Sequence, residues 1–117
     1  LYRLIDEYSL FYFRWIEPYK SQILQGMRQN EWQKSYGTPA WLAWAGKAFE
    51  SLCLKHIPQI KRALEIGGVE TSAFHWIYRG TNGEKGAEID LVIDRADNCT
   101  NLCEIKFSNS AFILTKE

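Results

Sequence analysis

Asp90, Glu104 and Lys106 are the residues of this sequence best suited to chemistry. They lie in two segments, 86–95 and 101–108, in which apolar and polar residues alternate, and such alternation predicts β-strands. If the two strands are neighbours, two carboxylates and one ammonium group point to a common side. Carboxylates held close together repel each other unless a positive charge lies between them. Oxygen ligands favour Mg²⁺ or Mn²⁺ over zinc, so this pattern is compatible with a divalent-metal site.

The same alternation predicts which side chains share a face of each strand. In the first strand an apolar face (Ile89, Leu91, Ile93) opposes an acidic one (Glu88, Asp90, Asp94). In the second strand an apolar face (Cys103, Ile105, Phe107) opposes a polar one (Glu104, Lys106, Ser108). A hairpin with one hydrated, charged face and incidental ion pairs would give the same pattern without any metal. Alternation alone therefore leaves both interpretations open.

Helices that precede these strands must position them. Helical spacing of apolar residues predicts an amphipathic helix over about residues 3–16, ended by Pro18. One or two short helices are expected within residues 19–36. A longer helix should begin with Thr38 as N-cap and Pro39 in its first turn and run to about His56. A short helix over 58–65, stopped by two glycines, should follow.

A third strand is predicted over residues 70–79, before the two that carry the charged groups. Thr81-Asn82-Gly83 and Asp97-Asn98 are the expected turns between the strands. Helices first and a strand meander afterwards predict the α+β class rather than a doubly wound sheet. His75, in the middle of the strand predicted over residues 70–79, is interpreted as a strand residue with a satisfied hydrogen bond rather than as a general base.

Length and composition limit the possible functions. The chain has 117 residues, with 14 Lys and Arg against 14 Asp and Glu, and 46% of its residues are hydrophobic. It is long enough for a real core but too short for a TIM barrel or a long repeat array. A net charge of zero argues against a broadly basic nucleic-acid-binding surface. Charged residues interrupt every apolar stretch before membrane-spanning length, so no membrane association is expected.

Cysteine content favours a reducing compartment, and the expected location is the cytoplasm. The three cysteines are an odd number without a dense disulfide framework. Cys53-x-x-His56 and Cys99-x-x-x-Cys103 offer four possible zinc ligands, but the second spacing is not that of a usual zinc knuckle. Buried free thiols are the preferred interpretation.

Two segments resemble the D…ExK signature of the PD-(D/E)XK nuclease superfamily: Gly86-Ala87-Glu88-Ile89-Asp90-Leu91-Val92-Ile93 and Cys103-Glu104-Ile105-Lys106-Phe107-Ser108. Upstream, Trp44-Ala45-Gly46-Lys47-Ala48-Phe49-Glu50 resembles the first core helix of that fold. More narrowly, together with Tyr2-Arg3-Leu4-Ile5-Asp6-Glu7-Tyr8 and Phe11-Tyr12-Phe13, these segments resemble the C-terminal domain of archaeal-type AAA+ ATPases. The resemblance covers nearly the whole chain.

This resemblance implies a restriction-endonuclease-like αβββ core with extra N-terminal helices. Residues 1–36 would form an N-terminal helical segment, and residues 37–117 an incomplete nuclease core. The superfamily core continues with a second helix and a fourth strand, and the sequence stops where Thr115 would cap that helix. The chain contains no G-x-x-x-x-G-K-[ST] motif, so no ATPase activity is expected of it.

The resemblance also implies roles for individual residues. Asp90, Glu104 and the backbone carbonyl of Ile105 would bind Mg²⁺ or Mn²⁺. Lys106 would orient the attacking water or stabilise transition-state charge. Glu50 would assist the metal site or hold Lys106. The substrate would be a phosphodiester, DNA above all.

An inactive nuclease-fold module for oligomerisation or for docking DNA or a partner is the alternative function. A toxin or defence partner domain is a further possibility. The expected partners are DNA, the ATPase domain of the same polypeptide and a second copy paired through an exposed sheet edge.

Overall fold

Helices occupy the first half of the chain and a three-stranded antiparallel sheet the second, in a computed structural model that describes residues 4–81, 83–111 and 113. This order confirms the α+β class. The chain divides into two compact units, residues 1–52 and residues 53–117. The domain boundary expected between residues 36 and 37 stays a prediction. Among the described residues, no helix is long and apolar enough to cross a membrane.

The first helical segment ends at Ile16, the predicted end, and further helical turns follow it directly. Helix α1 spans Glu7–Phe11, and the side chain of Asp6 caps it by accepting a hydrogen bond from the N–H of Ser9 at 2.7 Å. A π-helical turn (Tyr12–Ile16), a 3₁₀ turn (Glu17–Tyr19) and helix α2 (Lys20–Leu24) follow. Pro18 lies at the start of the 3₁₀ turn, where a missing N–H costs no hydrogen bond. The predicted start at residue 3 lies outside the described residues.

Helix α4 has the boundaries that its capping residues predicted. It spans Pro39–Lys55, and Oγ1 of Thr38 accepts a hydrogen bond from the N–H of Trp41 at 3.3 Å. The short helix α3, Glu31–Ser35, precedes it, so the expectation of one or two short helices in this region is confirmed.

Helix α5, Ile57–Ala63, ends at a non-glycine residue in the left-handed region. Glu65 has φ of 59° and donates its N–H to the carbonyl of Arg62 at 3.0 Å. The N–H of Ile66 reaches the carbonyl of Lys61 at 2.9 Å. These two bonds form a Schellman motif, so the helix stops before the glycine pair that was expected to end it.

The sheet consists of β1 (Thr71–Tyr78), β2 (Ala87–Arg95) and β3 (Thr100–Cys103), hydrogen-bonded in that order and antiparallel throughout. The Asp97-Asn98 turn is confirmed, with Asn98 at φ of 62°. In the β1–β2 connection the N–H of Glu84 bonds the carbonyl of Thr81 at 3.1 Å. Asn82 of the predicted turn lies outside the described residues, as does the predicted cap at Thr115.

A β-bulge interrupts β2 at the predicted metal ligand. Phe74 pairs with Val92 and Trp76 pairs with Ile89, so two residues of β2, Asp90 and Leu91, oppose the single residue between them on β1. An extra residue reverses the facing of every side chain beyond it. The alternation predicted for β2 is therefore wrong for Glu88 and Ile89, before the bulge, whereas Leu91 and Ile93 share the core face as predicted.

The register shows which side chains share a face, because directly paired residues do so. Ile93 pairs with Ala73 and Glu88 pairs with Ile77, and these two β1 residues are four apart. Glu88 consequently lies on the face of Ile93, opposite to the prediction. By the same argument Ile89 and Val92 share the other face, through their β1 partners Trp76 and Phe74.

The core of the second unit lies on the Ile93 face of the sheet. Leu91 and Ile93 are fully buried and pack with the buried Ile66. Half-buried apolar residues from the end of α4, from α5 and the segment after it, and from β3 and the segment after it complete this core: Leu54, Ile57, Ile60, Val69, Cys103 and Ile105. This core holds β2 rigidly, and β2 carries Asp90.

Candidate metal-binding and catalytic site

A side-chain hydrogen bond joins the two segments of the predicted site. Oδ2 of Asp90 accepts a hydrogen bond from the main-chain N–H of Ile105 at 2.7 Å. The β2–β3 ladder ends one step earlier, at the pair Leu91–Cys103. A main-chain carbonyl of β2 would accept the next ladder bond, from the N–H of Ile105. Because the bulge interrupts the regular main chain at Asp90, the Asp90 carboxylate accepts this bond instead. This explains why the strand predicted over 101–108 ends at Cys103.

Glu104 and Lys106 flank this anchored amide and are paired with each other. Nζ of Lys106 lies 2.5 Å from Oε1 of Glu104, and both side chains are about half exposed. Hydrogen bonding to Glu104 raises the pKa of Lys106, and the charges of Glu104, Asp90 and Glu88 raise it further. The contact with Glu104 thus favours the charged form of the ammonium group. Asp90 thus bonds the residue between Glu104 and Lys106, and those two form an ion pair, while their joint role as a site stays a prediction.

A second side-chain pair joins β1 to β2 next to the bulge. The Nε2–H of His75 donates to Oε1 of Glu88 at 2.8 Å. His75 is the β1 residue that faces the bulge, and Glu88 pairs with Ile77, two residues further along β1. Residues in this diagonal relation are within reach of each other when their side chains are long.

Glu50 lies on α4 within the first unit and is half-buried. Its predicted assistance to the site stays a prediction.

Oxygen atoms are the donors that the predicted metal site would use. Two carboxylates and one main-chain carbonyl match the preference of Mg²⁺ and Mn²⁺, and the bond from the N–H of Ile105 places the Asp90 carboxylate beside the main chain of that residue. Within residues 4–81, 83–111 and 113, no three His, Cys, Asp or Glu side chains are grouped as metal ligands. The predicted set has two such side chains at the sheet and takes its third ligand from the main chain, and that it binds a cation stays a prediction.

The cysteines are free thiols in different environments. Cys99 is exposed, Cys53 and Cys103 are half-buried, and burial raises the pKa of Cys103. A raised pKa disfavours the thiolate that zinc requires.

Comparison with known families places the chain in one of them. Residues 12–116 match the family DUF234, described as archaeal and bacterial proteins of unknown function. The chain belongs to the DUF234 family. No curated protein and no solved structure matches it. Membership in DUF234 therefore gives a family without an activity, and the chemistry has to be argued from the residues.

The contact between His75 and Glu88 is the feature of this DUF234 chain that sequence reasoning missed. The alternation grouped Glu88 with Asp90 but gave no partner for it, and the hydrogen bond expected of His75, which is confirmed, was not assigned to a partner. A bulge carries no sequence signal here, since neither Asp90 nor Leu91 is a glycine. Only the strand register reveals which β1 residue faces them.

Proposed function

We propose that this DUF234 chain is the nuclease-like domain of a larger ATPase and that it hydrolyses phosphodiester bonds, with DNA as the substrate and Mg²⁺ or Mn²⁺ as cofactor. The observation that carries the proposal is the hydrogen bond from the N–H of Ile105 to Asp90. It joins the D and ExK segments at Ile105, the residue whose carbonyl would be a ligand. The resemblance to the PD-(D/E)XK superfamily supplies the reaction type.

Each residue of the site has a role in this proposal. Asp90, Glu104 and the Ile105 carbonyl would hold the cation, which when bound polarises a phosphate and lowers the pKa of water. Lys106, kept charged by its carboxylate neighbours, would donate a hydrogen bond to the attacking water or to a phosphate oxygen as negative charge develops. Glu50 would support the cation or Lys106.

Charge in the strand half of the chain is compatible with this chemistry. Between residues 70 and 110 the acidic residues Glu70, Glu84, Glu88, Asp90, Asp94, Asp97 and Glu104 outnumber the basic Arg79, Lys85, Arg95 and Lys106. Such a surface would repel a phosphate backbone unless cations neutralise it. DNA affinity should therefore depend on the divalent ion.

Cleavage of plasmid and linear DNA by the full-length protein, with and without Mg²⁺ or Mn²⁺, tests the proposal. We expect Asp90→Asn, Asp90→Ala and Lys106→Ala to reduce the cleavage rate at least 100-fold, since they remove a metal ligand or a charge-stabilising group. Asp94→Asn and Lys85→Ala are matched controls. Asp94 lies on the same strand as Asp90 but accepts a hydrogen bond from Thr100 of β3, and Lys85 is an exposed lysine that precedes β2. Equal cleavage by the wild type and the site variants would contradict a nuclease.

An inactive module that docks to another copy is the second candidate. A sheet face with exposed apolar side chains favours it: Phe74, Trp76 and Leu102 are 45%, 41% and 66% exposed. Burial of such a patch against a second copy would remove apolar surface from water. If the wild type cleaves no DNA, sedimentation velocity of the full-length protein with and without Leu102→Asp tests this alternative. A monomer in both cases would contradict it.

A further inference from the structure

A pocket in the first unit carries two cationic side chains that have no acidic partner. It has a volume of about 250 Å³ and is formed by the π-helical turn and α4, with the lining residues Arg14, Ala40, Ala43, Trp44 and Lys47. Both cations are exposed, and neither side chain makes a hydrogen bond or an ion pair with any residue that the structure describes. Two positive charges beside one cavity repel each other unless an anion lies between them.

An aromatic ring holds the cation of the π-helical turn. The guanidinium carbon of Arg14 lies 4.7 Å from the centre of the Trp15 ring, in a cation–π contact. Trp15 in turn packs edge-on against Trp44, with ring centres 6.0 Å apart and an interplanar angle of 86°. Turns of π-helix are rare and occur frequently at functional sites. Here the turn carries both Arg14 and the ring that restrains it.

The wall that α4 contributes is apolar and open. The Nε1–H of Trp44 donates to the carbonyl of Leu10 at 3.3 Å, which fixes the indole against the first helical segment. Ala40, Ala43 and Lys47 are spaced at i, i+3 and i+7, so they share one face of the helix. Because the two alanines have short side chains, the helix face beside Lys47 leaves room for a ligand.

A phosphodiester of a nucleic-acid strand matches this combination of groups. Guanidinium and ammonium groups are strong donors to phosphate oxygens. The sugar next to the phosphate would cover the indole and the alanines, whereas a free phosphate ion would leave them in contact with water. The acidic surplus between residues 70 and 110 attracts no DNA backbone, so favourable charge has to come from another part of the molecule.

We infer that Arg14 and Lys47 clamp a backbone phosphate of bound DNA, with the adjoining sugar against Trp44. The inference rests on the proposed function for its ligand, because DNA is the proposed substrate. It adds a contact that needs no divalent cation and takes no part in bond cleavage. Binding by such a clamp releases counterions from DNA, so its contribution to affinity decreases as salt is added.

Fluorescence anisotropy of a labelled DNA duplex with the full-length protein, in EDTA and without nucleotide, tests the inference apart from cleavage. We expect Arg14→Gln and Lys47→Gln each to weaken binding about 3- to 10-fold. Each should also reduce the slope of log affinity against log salt concentration by about 1. Lys34→Gln is the matched control, since it removes one charge from an exposed lysine of the same unit that is paired with Glu31, and it should leave the slope unchanged.

Ala43→Glu tests the pocket by filling it. The new carboxylate would lie four residues before Lys47, a favourable spacing for an ion pair on a helix. We expect this variant to weaken DNA binding at least as much as Lys47→Gln, with no loss of helix content in circular dichroism. Gln33→Glu, which adds a carboxylate at an exposed position outside the pocket, is its control.

Losses no larger in the pocket variants than in their controls would mean a general effect of net charge and would overturn the inference, as would a wild type that binds no DNA in EDTA. Displacement of DNA by sodium phosphate beyond the effect of sodium chloride at equal ionic strength would assign the pocket to a free anion and would also overturn it. The proposed function fails separately. Binding that depends on Arg14 and Lys47 without any cleavage in Mg²⁺ or Mn²⁺ would contradict the nuclease and support the clamp.

Discussion

At the scale of single residues, main-chain conformation departs from sequence expectation where a non-glycine takes a positive φ. Glu65 does so at the end of α5, while the two glycines after it follow the ordinary preference for negative φ or extended backbone. A side chain in the left-handed region costs about 1–2 kcal/mol. The contact of Ile66 with the core fixes the end of the helix there, because the residue after the left-handed position has to pack inward.

Glu65→Gly should therefore stabilise the chain. We expect a gain of about 0.5–1 kcal/mol in the free energy of unfolding, since relief of strain exceeds the added entropy of the unfolded glycine. Urea denaturation followed by circular dichroism measures it. Glu70→Gly, an exposed glutamate without positive φ, is the control and should give no gain. A loss of stability in Glu65→Gly would contradict the Schellman ending.

At the scale of secondary-structure elements, the loop between β1 and β2 sets the hairpin that carries the site. Gly80 has φ of 69°, and a Cβ placed there would lie 2.4 Å from the main-chain oxygen of Glu84. Gly83 also has positive φ, at 87°, but a Cβ there would meet nothing within 4 Å. Substitution of each glycine by alanine therefore distinguishes two contributions to the free energy of unfolding: the unfavourable φ, which both variants share, and the steric clash, which arises only at Gly80.

Gly80→Ala should destabilise the chain by about 2–4 kcal/mol, because it adds a clash with the main chain to an unfavourable φ. Gly83→Ala should cost only about 1 kcal/mol. Thermal or urea unfolding of the two variants gives the comparison. Similar losses for both would show that the loop relaxes around the new methyl group and does not hold the hairpin rigidly.

At the scale of the whole molecule, the core of the second unit is built on one face of the sheet. Ile93 is fully buried on that face, whereas Leu102 is 66% exposed and pairs with Val92 of the opposite face. This arrangement explains the exposure of the candidate site residues. Asp90 lies on the buried strand β2, whereas the side chains of Glu104 and Lys106, after β3, are half exposed.

Ile93→Ala should therefore lower the free energy of unfolding by about 3 kcal/mol, from lost apolar burial and the cavity left behind. Leu102→Ala should change it by less than about 0.5 kcal/mol in the monomer. Chemical denaturation at low protein concentration measures both. A large loss in Leu102→Ala would mean that this face is covered in solution, which would favour the docking alternative.

Local patterns in the sequence determined the elements and their class. Thr38 and Pro39 predicted the start of α4 because capping depends on a few adjacent residues. Alternation of apolar and polar residues predicted three strands, and the Asp97-Asn98 pair predicted the turn between the last two. Charge and spacing also selected Asp90, Glu104 and Lys106; in the structure Asp90 bonds the residue between the other two, which form an ion pair.

Only the tertiary structure decided how those side chains are oriented. The bulge at Asp90 and Leu91 depends on how β1 and β2 are paired, and a pairing between distant segments leaves no periodic signal in either. The end of β3 at Cys103 and the contact of His75 with Glu88 follow from the same register. The sequence by itself identified the charged groups, while long-range strand pairing determined which of them face one another.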